Sequence, residues 1–174
     1  MLEQAITEAI VKQLGDEIKQ QLNLSTANIV QVNLINDDTD ELTFSGEVHH
    51  RFKQVLSLVN ENIPVLLVGG AGSGKSTCAR QISEALNLNF YFSNAITQEY
   101  KLTGFIDANG NYHETEFYKA FTEGGLFLLD ELDASIPEAL IILNNAISNG
   151  YFDFPTGRKD RHSKFRVIAC ANTY

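Results

Sequence analysis

Residues Gly69–Ser76 read Gly-Gly-Ala-Gly-Ser-Gly-Lys-Ser and fit the pattern G-x-x-x-x-G-K-[ST]. Directly before them stands the apolar run Val65-Leu66-Leu67-Val68. Directly after them, Thr77-Cys78-Ala79-Arg80-Gln81-Ile82-Ser83-Glu84-Ala85-Leu86 carries apolar residues at helical spacing. Strand, loop and helix in that order turn the pattern into a phosphate site. Polyphosphate needs many donors converging on a small volume, and glycines let the backbone wrap closely enough to supply them. The helix that follows aims its unpaired N–H groups and its positive dipole end at the same anion. Lys75 adds a point charge for the β and γ phosphates, and the Ser76 hydroxyl suits a Mg²⁺ ligand. The stretch implies a nucleoside triphosphate as ligand.

The 174 residues amount to one domain with room for an appendage. A hydrophobic fraction of 44% and a charged fraction of 20% describe an ordinary globular chain with enough apolar residues for a core. The formal charge of −9 argues against general binding to nucleic acid, which needs a surplus of Lys and Arg. Cys78 and Cys170 lack metal-type spacing and sit in apolar stretches, as small core residues do. No run approaches the roughly 18 apolar residues of a membrane span, and the first residues lack a basic flank with an apolar core. The expectation is a cytoplasmic protein.

Along the chain, Leu2, Ile6, Ile10, Leu14, Ile18 and Leu22 recur at steps of four and predict a helix over 1–22. Val30, Val32 and Leu34, the polar turn 36–40, then Leu42 and Phe44 predict a hairpin. That acidic turn lacks the Gly and closing Glu of a calcium loop. Ser45 precedes a helix carrying Val48, Phe52, Val55, Leu56 and Val59, ended by Asn62 and Pro64. His49 and His50 are adjacent on it, about 100° apart, which does not suit a shared metal. Beyond the phosphate loop come a short aromatic strand over 89–93, a polar helix near Thr97–Leu102, and a glycine-punctuated stretch over 104–111 with an Asn109-Gly110 turn. A helix is expected around Glu116–Thr122.

Gly125-Leu126-Phe127-Leu128-Leu129 is the unbroken apolar run of a strand buried on both faces, and it ends in Asp130-Glu131. Carboxylates there stand where ligands sit in open α/β folds. Asp130 suits a Mg²⁺ holder, and Glu131 suits the orientation and deprotonation of a water attacking the γ phosphate. The bland alternative is that the pair caps the helix that follows. Residues 136–147 read as that helix. Tyr151–Phe154, then 155–160, then Lys164-Phe165 reads as a hairpin with a basic tip (Arg158, Lys159, Arg161, His162). Arg166–Ala171 is a second buried strand, ended by Asn172.

Together these pieces resemble an AAA+ ATPase of the MoxR/midasin/dynein-like branch, over roughly residues 47–174. Gly69–Ser76 matches Walker A, Leu126–Glu131 with Leu132-Asp133 matches Walker B, and Arg166–Asn172 is similar to the sensor-1 strand. The stretch 104–115 falls where the family carries its helix-2 insert, and 151–164 where it carries a hairpin before sensor 1. The fold implied is α/β, a three-layer P-loop NTPase with a mostly parallel sheet. Residues 1–46 would form a small helix-and-hairpin appendage and 47–174 the ATPase core. The resemblance implies ATP and Mg²⁺ as cofactors. Gly70, Ala71, Gly72, Ser73, Gly74, Lys75, Ser76 and Thr77 would bind the nucleotide, with Thr77 at the α phosphate. Ser76 and Asp130 would hold the metal. Glu131 would activate water, Lys75 would neutralise the phosphates, and Asn172 would hydrogen-bond the water or the γ phosphate. Asn94 resembles the polar residue that pairs with the catalytic glutamate. Family members continue past sensor 1 into a fifth strand, an arginine finger and a helical lid. The chain ends at Tyr174, so a truncation with low hydrolysis is expected, leaving Arg158, Arg161 and Arg166 as finger candidates.

Three functions compete. The first is a remodelling ATPase acting on a protein client within a homo-oligomeric ring, by resemblance a hexamer, with nucleic acid at the basic hairpin as the lesser option. The second is a self-sufficient P-loop kinase for a small metabolite or nucleoside. The third is a module whose conformation ATP merely fixes. Water accepts the phosphate in the first, and a hydroxyl in the second.

Overall fold

The computed structural model describes residues 29–35 and 41–173. The helix expected over 1–22 and the acidic turn over 36–40 lie outside the described residues. The expected hairpin strands are present as β1 (Ile29–Ile35) and β2 (Glu41–Glu47), antiparallel with Val32 opposite Phe44. Ser45 does not start a helix. It lies within β2, opposite Gln31, and pairing with β1 carries that strand on to Glu47. The helix α1 begins at Phe52 and ends at Asn60. His49 shapes its entry, since its carbonyl accepts the Phe52 N–H at 2.8 Å and its Nδ1 accepts the Arg51 N–H at 3.2 Å. The exit turns on Asn62, which takes a left-handed φ of 58° while Ile63 N–H reaches back to Leu58 O at 2.9 Å.

Four parallel strands form the main sheet, in the order β3-β10-β7-β4. They are β3 (Val65–Val68), β4 (Phe90–Ser93), β7 (Gly125–Leu129) and β10 (Phe165–Ala171). The central pair β7 and β10 read as apolar runs because both faces are covered. On one face α1 and α2 (Lys75–Ala85) pack Phe52, Val59, Ala79 and Ile82 against Leu126, Leu128, Ile168 and Cys170. On the other face lie α4 (Glu116–Glu123) and α5 (Pro137–Asn149). They close Phe117, Phe121 and Leu143 over Phe127, Leu129, Phe165 and Val167. Alternate residues of β7 and β10 therefore serve two cores, and the three-layer α/β architecture expected from the sequence is realised.

The polar helix expected near Thr97 is a single turn, α3 (Tyr100–Thr103), closed at Gly104. Gly104 has φ 77°, and a Cβ there would stand 2.5 Å from His113 O, so only glycine fits. The glycine-punctuated stretch forms a small hairpin of β5 (Phe105–Ile106) and β6 (Tyr112–His113). Asp107 ties its turn by accepting the Asn109 and Asn111 amides, both at 2.9 Å.

The second hairpin differs from expectation. Its strands are β8 (Tyr151–Phe154) and β9 (Gly157–Asp160), so the tip is Pro155-Thr156 and carries no base. Lys164 lies outside the hairpin and Phe165 opens β10. Of the expected basic residues, Arg158 in β9 and Arg161 just after it donate to acceptors of their own chain. Arg158 forks onto Asp153 at 2.9 and 3.0 Å and stacks 4.3 Å over Tyr151. Arg161 donates to Ile147 O at 2.8 Å. Arg166 donates to Ser163 O and Phe165 O, both at 2.9 Å. Each proposed finger arginine thus makes hydrogen bonds within the chain. Among the described residues, no helix is long and apolar enough to cross a membrane.

Candidate functional site

Parallel strands place their carboxyl ends along one edge, where open α/β folds receive ligands. Here β3 runs into the glycine loop, β7 ends at Asp130-Glu131 and β10 ends at Asn172. The Gly69 N–H to Ala171 O bond (3.2 Å) extends the β3–β10 pairing into the loop, and Asp130 N–H to Ser93 O (2.8 Å) fixes the end of β7 against β4.

The loop keeps its shape through left-handed glycines. Gly72 and Gly74 have φ of 75° and 86°. A Cβ at Gly70 or Gly72 would meet nothing within 4 Å, so the loop backbone borders open space. Gly74 caps α2, whose first-turn N–H groups have no intrahelical acceptor and stand free for an anion. Lys75 Nζ donates to Gly69 O (2.7 Å), Gly70 O (3.1 Å) and Asn172 Oδ1 (3.1 Å). Ser76 Oγ donates to Asp130 Oδ2 at 2.6 Å. Two residues 54 positions apart thus juxtapose a hydroxyl and a carboxylate, the hard oxygen donors that Mg²⁺ takes.

Asp130 Oδ1 accepts the Glu131 N–H at 2.9 Å. Glu131 itself is in the left-handed region, φ 53° and ψ 44°, where β7 turns into a 3₁₀ turn over Leu132–Ala134. The pair does not cap the helix that follows: Glu131 makes no side-chain cap bond to the 3₁₀ turn, and the N-cap of Pro137–Asn149 is Ile136. The result is a cavity of about 330 Å³ lined by residues 71–77 together with Asp130, Glu131 and Asn172. It is open and polar, suited to a charged chain of phosphates.

The sequence-predicted residues Ala71, Gly72, Ser73, Gly74, Lys75, Ser76, Thr77, Asp130, Glu131 and Asn172 all line this one cavity. Gly70 stands just behind it, its carbonyl holding Lys75 and the Ser73 N–H. Asn94 does not line it: the side chain is exposed past the end of β4, and its carbonyl accepts the Ser93 hydroxyl at 3.1 Å. The Walker B resemblance included Asp133 but assigned it no role; its carboxylate reaches Asn172 and Thr173. Its partners lie 39 and 40 positions away, a separation that no local pattern encodes. Both thiols are buried in the core that α1 and α2 form with the sheet. Desolvation pushes Cys78 up to about 11, and desolvation, reinforced by the nearby Asp130 charge, pushes Cys170 up to about 12. Neither is poised as a nucleophile.

A second hollow of about 230 Å³ shares Ser76 and Thr77 and extends over Arg80, Phe90, Phe92 and Leu128. Arg80 lies 4.6 Å over the Phe90 ring.

Comparison with known proteins bears on the family and the fold. Uncharacterized protein SSP1341 of Staphylococcus saprophyticus is 32% identical over 106 residues, which cover 55% of the chain and 40% of that protein. Among solved structures, NtrX from Brucella abortus superposes with a TM-score of 0.60 at 20% identity, over 97% of the chain and 37% of NtrX. Its complex with ATP gives 0.57 at 18% identity, over 95% of the chain and 36% of NtrX. At such identities the likeness to NtrX is one of fold, and the chain spans well under half the length of each of these relatives. The model of the AAA domain (dynein-related subfamily) matches residues 64–174, from the strand before the phosphate loop to Tyr174. The chain belongs to the AAA domain family, in its dynein-related subfamily.

Proposed function

We propose that residues 47–174 bind Mg·ATP and hydrolyse it, residues 1–46 being an appendage. The observation that carries this reading is the convergence of Lys75, Ser76, Asp130, Glu131 and Asn172 on one phosphate-sized cavity. The loop amides and Lys75 would bind the phosphates, with Lys75 exchanging carbonyl acceptors for phosphate oxygens. Thr77 would lie at the α phosphate. Ser76 and Asp130 fit Mg²⁺, which when bound supplies charge neutralisation at the β and γ oxygens. Glu131 would take a proton from the attacking water, and Asn172 would orient that water or the γ phosphate. Asn94, just past the end of β4, would by family pair with Glu131.

By family, the hydrolysis would be coupled to motion against a protein client in a homo-oligomeric, hexameric ring in the cytoplasm. The excess of acidic residues favours a protein client over nucleic acid. Hydrolysis per subunit, measured against protein concentration, tests the ring. A rate that climbs with concentration is expected, and a substantial rate that stays flat refutes completion of the site by a neighbour. Lys75→Ala is expected to weaken ATP binding about 10–150-fold in a calorimetric titration, from the loss of hydrogen bonds to a charged group. Glu131→Gln is expected to keep affinity and lose about 10²–10⁴ in turnover. Normal affinity in the first variant, or normal turnover in the second, overturns the assignment. The kinase reading has one observation in its favour, the hollow beside Ser76 that could seat an acceptor. Phosphate appearing on an added hydroxyl compound rather than in solution would establish it.

A further inference from the structure

Glu131 and Asn172 come from different strands, and attack on a terminal phosphate depends on the spacing between them. One side chain spans the gap. Asp133 Oδ1 accepts the Asn172 N–H at 3.4 Å, and Oδ2 accepts the Thr173 hydroxyl at 3.3 Å. On its own side, Ala134 N–H closes onto Glu131 O at 2.9 Å and Ser135 N–H onto Leu132 O at 3.0 Å, so Glu131 and Asp133 move as one turn. On the other side, Asn172 Oδ1 accepts Lys75 Nζ at 3.1 Å. The connection therefore runs from the Glu131 turn through Asp133 to Asn172 and on to Lys75. Desolvation pushes the Asp133 carboxyl up, but hydrogen bonds from the Asn172 amide, its own amide and Thr173 outweigh it and leave the group below the ordinary carboxylate value. It is ionised at neutral pH.

We propose that Asp133 is a positioning residue that clamps the Asn172–Thr173 strand end to the turn carrying Glu131, and so sets the distance between the two groups that act on the attacking water. This rests on the hydrolase reading above. Asp133 does not line the nucleotide cavity, so its loss should leave binding alone and act on turnover. A displacement of about 1 Å between reacting groups costs up to about 100-fold in rate.

The test compares wild type, Asp133→Ala, Asp133→Asn and Glu131→Gln as full chains, with calorimetric ATP affinity and steady-state hydrolysis. Asp133→Ala is expected to lower kcat about 10–100-fold while the Kd for ATP stays within about threefold, a change of under 1 kcal/mol. Asp133→Asn keeps an acceptor for the Asn172 N–H and an amide for the Thr173 oxygen, and is expected to return kcat to within about threefold of wild type. Wild-type kcat in Asp133→Ala, a loss confined to Kd, or no rescue by Asn overturns the clamp. Glu131→Gln as active as wild type, or a wild type without hydrolysis, overturns the hydrolase reading instead. Amide hydrogen exchange then decides the clamp without turnover. Exchange at Asn172 and Thr173 should quicken at least about fivefold in Asp133→Ala, as expected for the loss of about 1 kcal/mol of local protection, and recover in Asp133→Asn. Unchanged exchange refutes the clamp.

Discussion

Glu131 occupies a backbone conformation that its residue type resists, and this has a measurable cost. At φ 53° its Cβ crowds the following carbonyl, a strain of roughly 1–2 kcal/mol for an L-residue. Glycine escapes the strain but gives back roughly 0.5–1 kcal/mol through the greater freedom of its unfolded chain. The side chain is exposed, so its removal opens no cavity, and the 2.9 Å bond from the Glu131 amide to Asp130 survives any substitution that keeps the backbone. Alanine at 131 retains the strain. The comparison of Glu131→Gly with Glu131→Ala therefore isolates it, and the net difference is about 0–1.5 kcal/mol in favour of glycine. For a chain of this size that is up to about 6 °C in melting temperature, read by circular dichroism at neutral pH. Both variants should be equally deficient in hydrolysis. A glycine variant that melts below the alanine variant refutes the reasoning. Strain of this kind clusters at functional sites, and Glu131 lines the cavity.

Phe117 is 1% exposed, and its ring stands 5.3 Å from that of Phe127, with Phe121, Phe154 and Phe165 between 5.7 and 6.1 Å. Phe117→Ala should cost about 3–5 kcal/mol in chemical denaturation, and a loss under about 1 kcal/mol refutes close packing there. The His113 side chain, with the Asn111 and Asn109 amides, holds the Asp107 carboxyl at about 2. A depressed folded value contributes order that is present above the ordinary carboxylate range and lost as pH falls through about 2. The Asn109 and Asn111 amide resonances should therefore titrate near pH 2, and a midpoint near 4 refutes the contact. Cys78 and Cys170 should resist iodoacetamide at pH 8 in the folded chain and react fully in denaturant. Rapid labelling of the folded form refutes their burial.

The phosphate loop, β7 and β10 were legible because each is written locally. Glycines at fixed offsets and unbroken apolar runs name a loop and doubly covered strands without reference to distant residues. What the chain hides is pairing across distance. Ser45 could be read as a helix start because Val48, Phe52, Val55 and Val59 keep helical spacing. The partner strand β1, opposite it, is what holds that segment extended. Arg158 looked like a free cation because a list of charges does not show Asp153 facing it across a turn. Asn94 follows the end of its strand, yet chain order alone does not bring it to the cavity. Asp133 fell inside the Walker B match, but nothing there named its partners, which are 39 and 40 residues away.

Strands β7 and β10 belong to both cores at once, Leu128 and Ile168 facing α1 and α2 while Phe127 and Val167 face α4 and α5. They act as a partition whose two sides cannot settle independently. A side chain that repacks in either helical layer shifts the same two backbones, and those backbones deliver Asp130 and Asn172 to the cavity. The distance between these two residues is thus a common readout of both layers, and slack on one side is felt at the site even when the other stays tight.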